Sequence, residues 1–509
     1  MTAQTADFFR ARLDSMIDLR HPLAVLATRL PWTQLETSLA PIWQRASREG
    51  VLSEDADLFG VGGTRVAAGV SYAGRPRLPI RLMCALLYLK HAFNLSDEDT
   101  CERWAENVVW QFFSGMDYYE PRLPCDATQI GRFRLAIGEA GMETILKATI
   151  DTAVATNAIK PVEFERVIVD TTVQEKAIAY PTDARLLEIA RHQIVKAAKG
   201  CGISLRQTFA KEGKALRFKS GGYAHAKQFK RLKRVLKRQR TIVGILIREV
   251  RGKIAAATQA TDKTTNAANT TNTTSTTALA SLATLLERAE RIRTQQKKDK
   301  NKLYALHAPE VECISKGKAR NRYEFGVKVS LAITHKQGLM VGAKRFTGNP
   351  FDGHTLQAQL AQCNTLIKGA GTPIKQAFVD LGYRGVDKDN PGVQVVHRGR
   401  IKSMSQAEKK LLKRRQAIEP AIGHTKHDHR MIRCHLKGSI GDALHAISCA
   451  AGYNIRWLMR AIMRLGLTGL FAFAFLAAAL SKIWLDRPTQ TLRTPRARDR
   501  AHNHLKVAC

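Results

Sequence analysis

From residue 79 the chain alternates between stretches with apolar residues every three or four positions and short, unbroken apolar runs. LPIRLMCALLYLKHAF (78–93) has helical spacing. Ser96 with Asp99 predicts a capping box opening SDEDTCERWAENV, and Asp126 predicts a cap on DATQIGRFRLAIG after the Pro121–Pro124 turn. Residues 79–160 therefore read as a compact helical module, equally a small helical domain or a helix-turn-helix-like unit. FERVIVDTTV (164–173) is short and β-branched and predicts a buried strand ending in an acid. Helical patterns follow over 180–198 and 227–253, the second with a stripe of Phe229, Leu232, Leu236, Val243 and Leu246. LATLLERAERIRTQQKKDKNKL (282–303) predicts the return arm of a helical hairpin, with the Thr- and Asn-rich 258–277 as a disordered linker at its tip. Strand patterns resume at 323–334, 338–346 and 375–383, and 404–428 reads as largely helical. The overall class is α/β.

Charge sharpens this picture. The 509 residues hold 81 Lys+Arg against 44 Asp+Glu, a net +37. Such a field implies a polyanionic partner, and nucleic acid is the default, because each neutralised phosphate releases counterions. Helix 227–253 carries Lys230, Arg231, Lys233, Arg234, Lys237, Arg238 and Arg240, whose mutual repulsion makes backbone phosphates natural neighbours. The nine cysteines form no CxxC pair, so neither a zinc knuckle nor a disulfide framework is indicated, and they read as reduced thiols of a cytosolic protein. The N-terminal residues lack the apolar core of a signal peptide. LGLTGLFAFAFLAAALS (465–481) is just short of a membrane span and reads as a packed helix, followed by an Arg-rich tail.

The chemistry concentrates in acids that end buried-looking strands, VIVD170 and AFVD380. Two such carboxylates on neighbouring strands would repel unless a cation lay between them, and magnesium suits one or two carboxylates plus water and phosphate. Glu419 follows Asp380 by 39 positions on a basic helix. His424, His427 and His429 lie close by, but without cysteine support they read as DNA or core contacts rather than zinc ligands.

VIVDTTV, FVDLGYRG and RQAIEPAIGHTK together resemble the DDE transposases of bacterial insertion sequences, and more narrowly the insertion-sequence-five (InsH-like) family. Arg415, Glu419 and Lys426 match the last three positions of that family's Y-x2-R-x3-E-x6-K motif, while Leu412 stands where the family has Tyr. WAENVVWQFFSG, CDATQIGRFR, YPTDARLL, GNPFDGHTL and the segment 427–458 with Asn454 extend the resemblance over roughly residues 75–460.

The resemblance implies an RNase H-like catalytic core, a mixed sheet flanked by helices, with Asp170 on its first strand and Asp380 near its fourth. The implied division is an N-terminal region (1–75), an all-helical DNA-binding domain (76–160), a catalytic domain (161–460) with a helical insertion at about 176–320, and a terminal segment (461–509). It further implies that Asp170, Asp380 and Glu419 hold two Mg2+ (or Mn2+) ions and that Arg415 and Lys426 hold phosphates. Lys409, Lys410, Lys413 and Arg414 would be general backbone contacts. The expected partner is double-stranded DNA, element ends and target alike, bound by a homodimer at the nucleoid and not at a membrane. A stand-alone nuclease and a DNA-binding protein that has lost its chemistry are the competing readings.

Overall fold

The computed structural model describes residues 11–43, 77–262, 272–315 and 322–466. The Gly-rich stretch near Gly60, residues 467–481 of the apolar segment and the Arg-rich tail lie outside the described residues. Among the described residues, no helix is long and apolar enough to cross a membrane.

Among the described residues, seven α-helices precede the sheet: α1 (Leu13–Met16), α2 (Pro22–Arg29), α3 (Trp32–Trp43), α4 (Ile80–Ala92), α5 (Asp97–Glu106), α6 (Val108–Phe113) and α7 (Ala127–Ala155). Both expected caps form. Ser96 Oγ accepts from Asp99 N–H while Asp99 returns the bond, and Asp126 accepts from Thr128 N–H. α4 is enclosed rather than presented: every residue from Leu82 to Ala92 is buried, so it is a core helix and not an exposed recognition helix.

The strands are β1 (Arg166–Glu175), β2 (Glu312–Ile314), β3 (Glu324–Thr334), β4 (Met340–Phe346), β5 (Gln376–Phe378) and β6 (Gln394–Val396). They form one mixed sheet in the order β2-β3-β1-β5-β6, with β4 also on β3. The β1–β3, β2–β3 and β3–β4 pairs are antiparallel, and β1–β5 and β5–β6 are parallel. Two expectations are corrected here. β1 does not stop at Asp170 but runs on to Glu175, because Val173 and Gln174 continue its pairing with β3. The strand expected over 375–383 ends at Phe378, since Asp380 caps a 3-10 turn over Leu381–Tyr383.

Between β4 and β5 lies α12 (Leu356–Ile367), and after β6 come α13 (Gln406–Lys413), α14 (Ile418–His427) and α15 (Gly438–Arg464). α15 packs on α7, α4 and β4, so one continuous core runs from Leu23 through the helical module and the sheet to Ile462, without a break at residue 160. Gly452 permits the α15–α4 crossing: a Cβ there would stand 2.5 Å from the His91 backbone. Asn454, fully buried, pins the three layers together. Its Oδ1 accepts from Met340 N–H on β4, and its Nδ2 donates to Met340 O and to Thr149 Oγ1 on α7.

Between β1 and β2 stand α8 (Asp183–Gly200), α9 (Ala210–His225), α10 (Phe229–Asp262) and α11 (Asn272–Thr294). They bury a separate core of their own, including Leu187, Ile194, Leu246 and Leu286. The expected hairpin is present as α10 against α11. It is longer than expected, for both ends of the Thr-rich stretch are helical and only residues 263–271 lie outside the described residues. The return helix ends at Thr294 rather than 303. Phe229 is exposed; the buried stripe instead starts at Val235 and Gln239, whose Nε2 donates to Ala184 O.

Candidate active site

β1 supplies the first acid. Val167, Ile168 and Val169 are fully buried, as a central strand with both faces covered requires, and Asp170 follows them with its side chain 19% exposed. The parallel register places Ile168 opposite Phe378, so Asp170 and Asp380, each two residues further on, emerge side by side at the same edge of adjacent strands. Thr171 N–H donates to Asp170 Oδ1 at 2.7 Å and Gly382 N–H to Asp380 Oδ1 at 2.8 Å, fixing both carboxylates to the backbone. A Cβ at Gly382 would crowd Asp380 Oδ1, at 3.0 Å, and touch an Asp352 oxygen at 3.4 Å.

Glu419 comes from the first turn of α14, where the helix dipole favours a carboxylate. Arg415, four residues earlier, joins it to β1: its Nη2 is 3.4 Å from Glu419 Oε1 and its Nη1 is 3.6 Å from Asp170 Oδ2. Nη1 is nevertheless buried without a hydrogen-bond partner. The structure thus brings Asp170, Glu419 and Arg415 together, with Asp380 on the adjoining strand edge. Lys426 lies half-buried two helical turns beyond Glu419 on α14. Leu412, at the position where Tyr was expected, is a core residue at 4% exposure, so this chain uses the site for packing.

Sequence reasoning missed a fourth acid. Asp352, in the matched segment GNPFDGHTL, accepts from Thr171 Oγ1 and from Lys328 Nζ, both at 2.8 Å. Tyr383 registers the gathering: burial first, then the charges of Asp170, Asp352 and Asp380, push its phenol well above the ordinary value. Only the position of Asp352 inside an already matched segment could have signalled it. Lys328 lies on β3 and reaches Asp352 across the fold.

Other expected site residues lie elsewhere or are otherwise engaged. Lys230, Arg231, Lys233 and Arg234 are exposed on α10 of the insertion, outside the core that carries the acids. Arg414 is exposed and also donates to the backbone carbonyls of His335 and Lys336. The three histidines do not converge: His424 pairs with Asp428 at 2.6 Å, His427 is exposed, and His429 is buried against the His91 carbonyl.

With this geometry in view, comparison with known proteins identifies the class. Residues 62–135, whose described part spans α4 to the start of α7, match the family described as Transposase domain (DUF772). The chain therefore carries a transposase domain. It is 39% identical over 223 residues to the uncharacterized protein ORF8 in the nfe locus of Rhizobium meliloti, covering 44% of this chain and 95% of that one. The chain belongs to the same family as that protein. No solved structure matches it.

Proposed function

We propose that the chain is a DDE transposase of an insertion sequence, of the insertion-sequence-five (InsH-like) type, with an RNase H-like core. The observation that carries the proposal is the shared register of Asp170 and Asp380 on parallel strands, with Glu419 tied to Asp170 through Arg415. A mixed sheet bearing one acid on its first strand and another just past the neighbouring strand supports the RNase H-like reading.

The donor set fits hard divalent cations. Asp170 and Glu419 face Arg415, Asp352 pairs with Lys328, and Asp380 accepts from the backbone N–H of Gly382. Asp170, Asp380 and Glu419 would hold two Mg2+ or Mn2+ ions, which supply charge neutralisation and an activated hydroxyl for phosphoryl transfer. The chain's own groups do the positioning on which such transfer depends. Arg415, between Asp170 and Glu419, would turn a guanidinium donor to a phosphate oxygen as metal ions take over those carboxylates, and Lys426 on the following helix would extend that contact along the strand. Asp352 and Thr171 hold the Asp170 edge in place. The exposed cations of α10 would follow the backbone of double-stranded DNA. Synapsis of two element ends makes a homodimer the proposed working unit, acting at the cytoplasmic nucleoid.

The test is incubation of the full chain with linear DNA carrying the repeats that bracket its reading frame, with Mg2+, Mn2+ or chelator. Metal-dependent nicks at the repeat ends and strands joined to target DNA are expected. Cutting without preference for the repeats and without joining would replace the proposal by a stand-alone nuclease. Asp352→Asn is expected to lower cleavage roughly 10–100-fold, because it removes the negative partner of Lys328 beside the site. Cleavage at the wild-type rate by this variant would reduce Asp352 to a fold residue.

A further inference from the structure

We propose a second metal site, for zinc, formed by His91, His445 and Cys449 in the buried seam where α15 crosses α4. The three are fully enclosed, and one ligand atom from each lies within 4.8 Å of the other two. They come from two elements: His91 from the last turn of α4, and His445 with Cys449 four residues apart on one face of α15. Imidazole nitrogen and thiolate sulfur are the donors zinc prefers over carboxylate oxygen, and zinc uses four of them tetrahedrally.

The separation of Cys449 from His91 suits the ion. Donors at about 2.1 and 2.3 Å from a tetrahedral zinc stand about 3.5 Å apart. Cys449 Sγ is 3.6 Å from His91 Nδ1. The alternative partner of that nitrogen, His429 O, is 3.5 Å away, too far for a good hydrogen bond. His445 is oriented as a zinc ligand should be: its Nε2 lies 3.0 Å from the Arg430 carbonyl, which leaves Nδ1 as the donor to a metal. Burial keeps both imidazoles neutral, the form that ligates. The nearby cations Lys90 and Arg134 are themselves paired on Asp97, which moderates their opposition to a metal ion.

An ordinary buried cluster would gain only a weak hydrogen bond from the Cys449 thiol to His91 Nδ1, with His445 standing beside it. The zinc reading gives that geometry a purpose. His429 and Arg430, whose carbonyls border the ligands, follow directly on α14, so the metal would brace the strap that leaves the Glu419 helix. The site shares no ligand with the carboxylates and stands or falls independently of them.

The experiment measures metal content of the full chain purified without chelator, and then the absorption spectrum after zinc is exchanged for Co2+. About one zinc per chain and an intense thiolate-to-cobalt charge-transfer band are expected, a band that an all-oxygen carboxylate site cannot give. Cys449→Ser should abolish the band, and His445→Ala should lose the zinc while Mg2+-dependent DNA cleavage retains its Asp170 dependence. The wild-type chain alone keeps the proposal falsifiable should the variants misfold. If it holds no zinc after equilibration with Zn2+, or binds Co2+ without the thiolate band, the site is an ordinary core cluster.

Discussion

Asp170→Asn and Glu419→Gln are each expected to abolish strand cleavage and joining while leaving binding to the element ends within a few-fold of wild type. The expected loss is about 10³-fold or more, equivalent to about 4 kcal/mol of barrier. Both changes keep the side-chain shape and remove only the charge. In the Asp170→Asn variant the amide oxygen could still accept from Thr171 N–H as the carboxylate does, so β1 and its long pairing with β3 should persist. What disappears is the negative oxygen facing Arg415 at the strand edge beside Asp380. In the Glu419 variant the guanidinium of Arg415 keeps Asp170 as its partner, so the local fold survives there too. The measurement is the rate of product formation on end-labelled DNA, with binding followed separately by electrophoretic retardation. A variant that cuts at the wild-type rate would remove these carboxylates from the mechanism. A variant that fails to bind would show that the acids organise the DNA-binding surface rather than the chemistry.

How far such a site can be read from sequence depends on the range of the forces that build it. Ser96–Asp99 and Asp126 form the caps expected of them, because capping is decided within one helical turn. Asp170 and Asp380 are legible as acids beside apolar runs, and Arg415, Glu419 and Lys426 as a spaced set on one basic stretch. Their alignment is not legible, since it depends on β1 pairing with a three-residue strand more than two hundred positions away. Asp352 escapes for the same reason: it lies in a short turn, and its partners, Thr171 and Lys328, come from two distant strands. α9 escapes for the opposite reason. Its sequence, AKEGKALRFKSGGYAH, buries only Gly213 and Ser220, so no apolar stripe announces a helix. The stripe assigned to α10 starts too early because Gln239, polar but buried, belongs to it and Phe229 does not. The seam of His91, His445 and Cys449 is likewise invisible until α15 is laid across α4.

The insertion hangs from the sheet at a buried ion triad, and Lys176→Met is expected to destabilise the chain by about 3–5 kcal/mol. Lys176 directly follows β1, where the chain leaves for α8, and Glu310 precedes β2, where it returns. Lys176 Nζ lies 2.8 Å from Glu310 Oε1 and 2.8 Å from Asp442 Oδ1 of α15, with all three side chains under 10% exposed. Burial works against the ammonium, but bonding to the two acids outweighs it and raises the Lys176 pKa. Burial pushes the Asp442 carboxyl up despite the pull of Lys176, so the lysine is what keeps that acid tolerable in the core. Met fills nearly the same volume, so the loss should come from stranding two carboxylates rather than from a cavity. Two comparisons separate these causes in urea unfolding. Adding Asp442→Asn to Lys176→Met should recover a large part of the lost stability, because it removes one stranded charge, although Asp442→Asn alone destabilises the wild type. A Lys176→Met loss below about 1 kcal/mol, or no recovery in the double variant, would mean that the triad does not carry charge in the folded chain. Because the triad joins β1, the insertion's return and α15, its loss should also weaken the hold on the edge from which Asp170 projects. Cleavage by Lys176→Met should therefore fall at temperatures where the protein is still folded, whereas Asp170→Asn is inactive at every temperature.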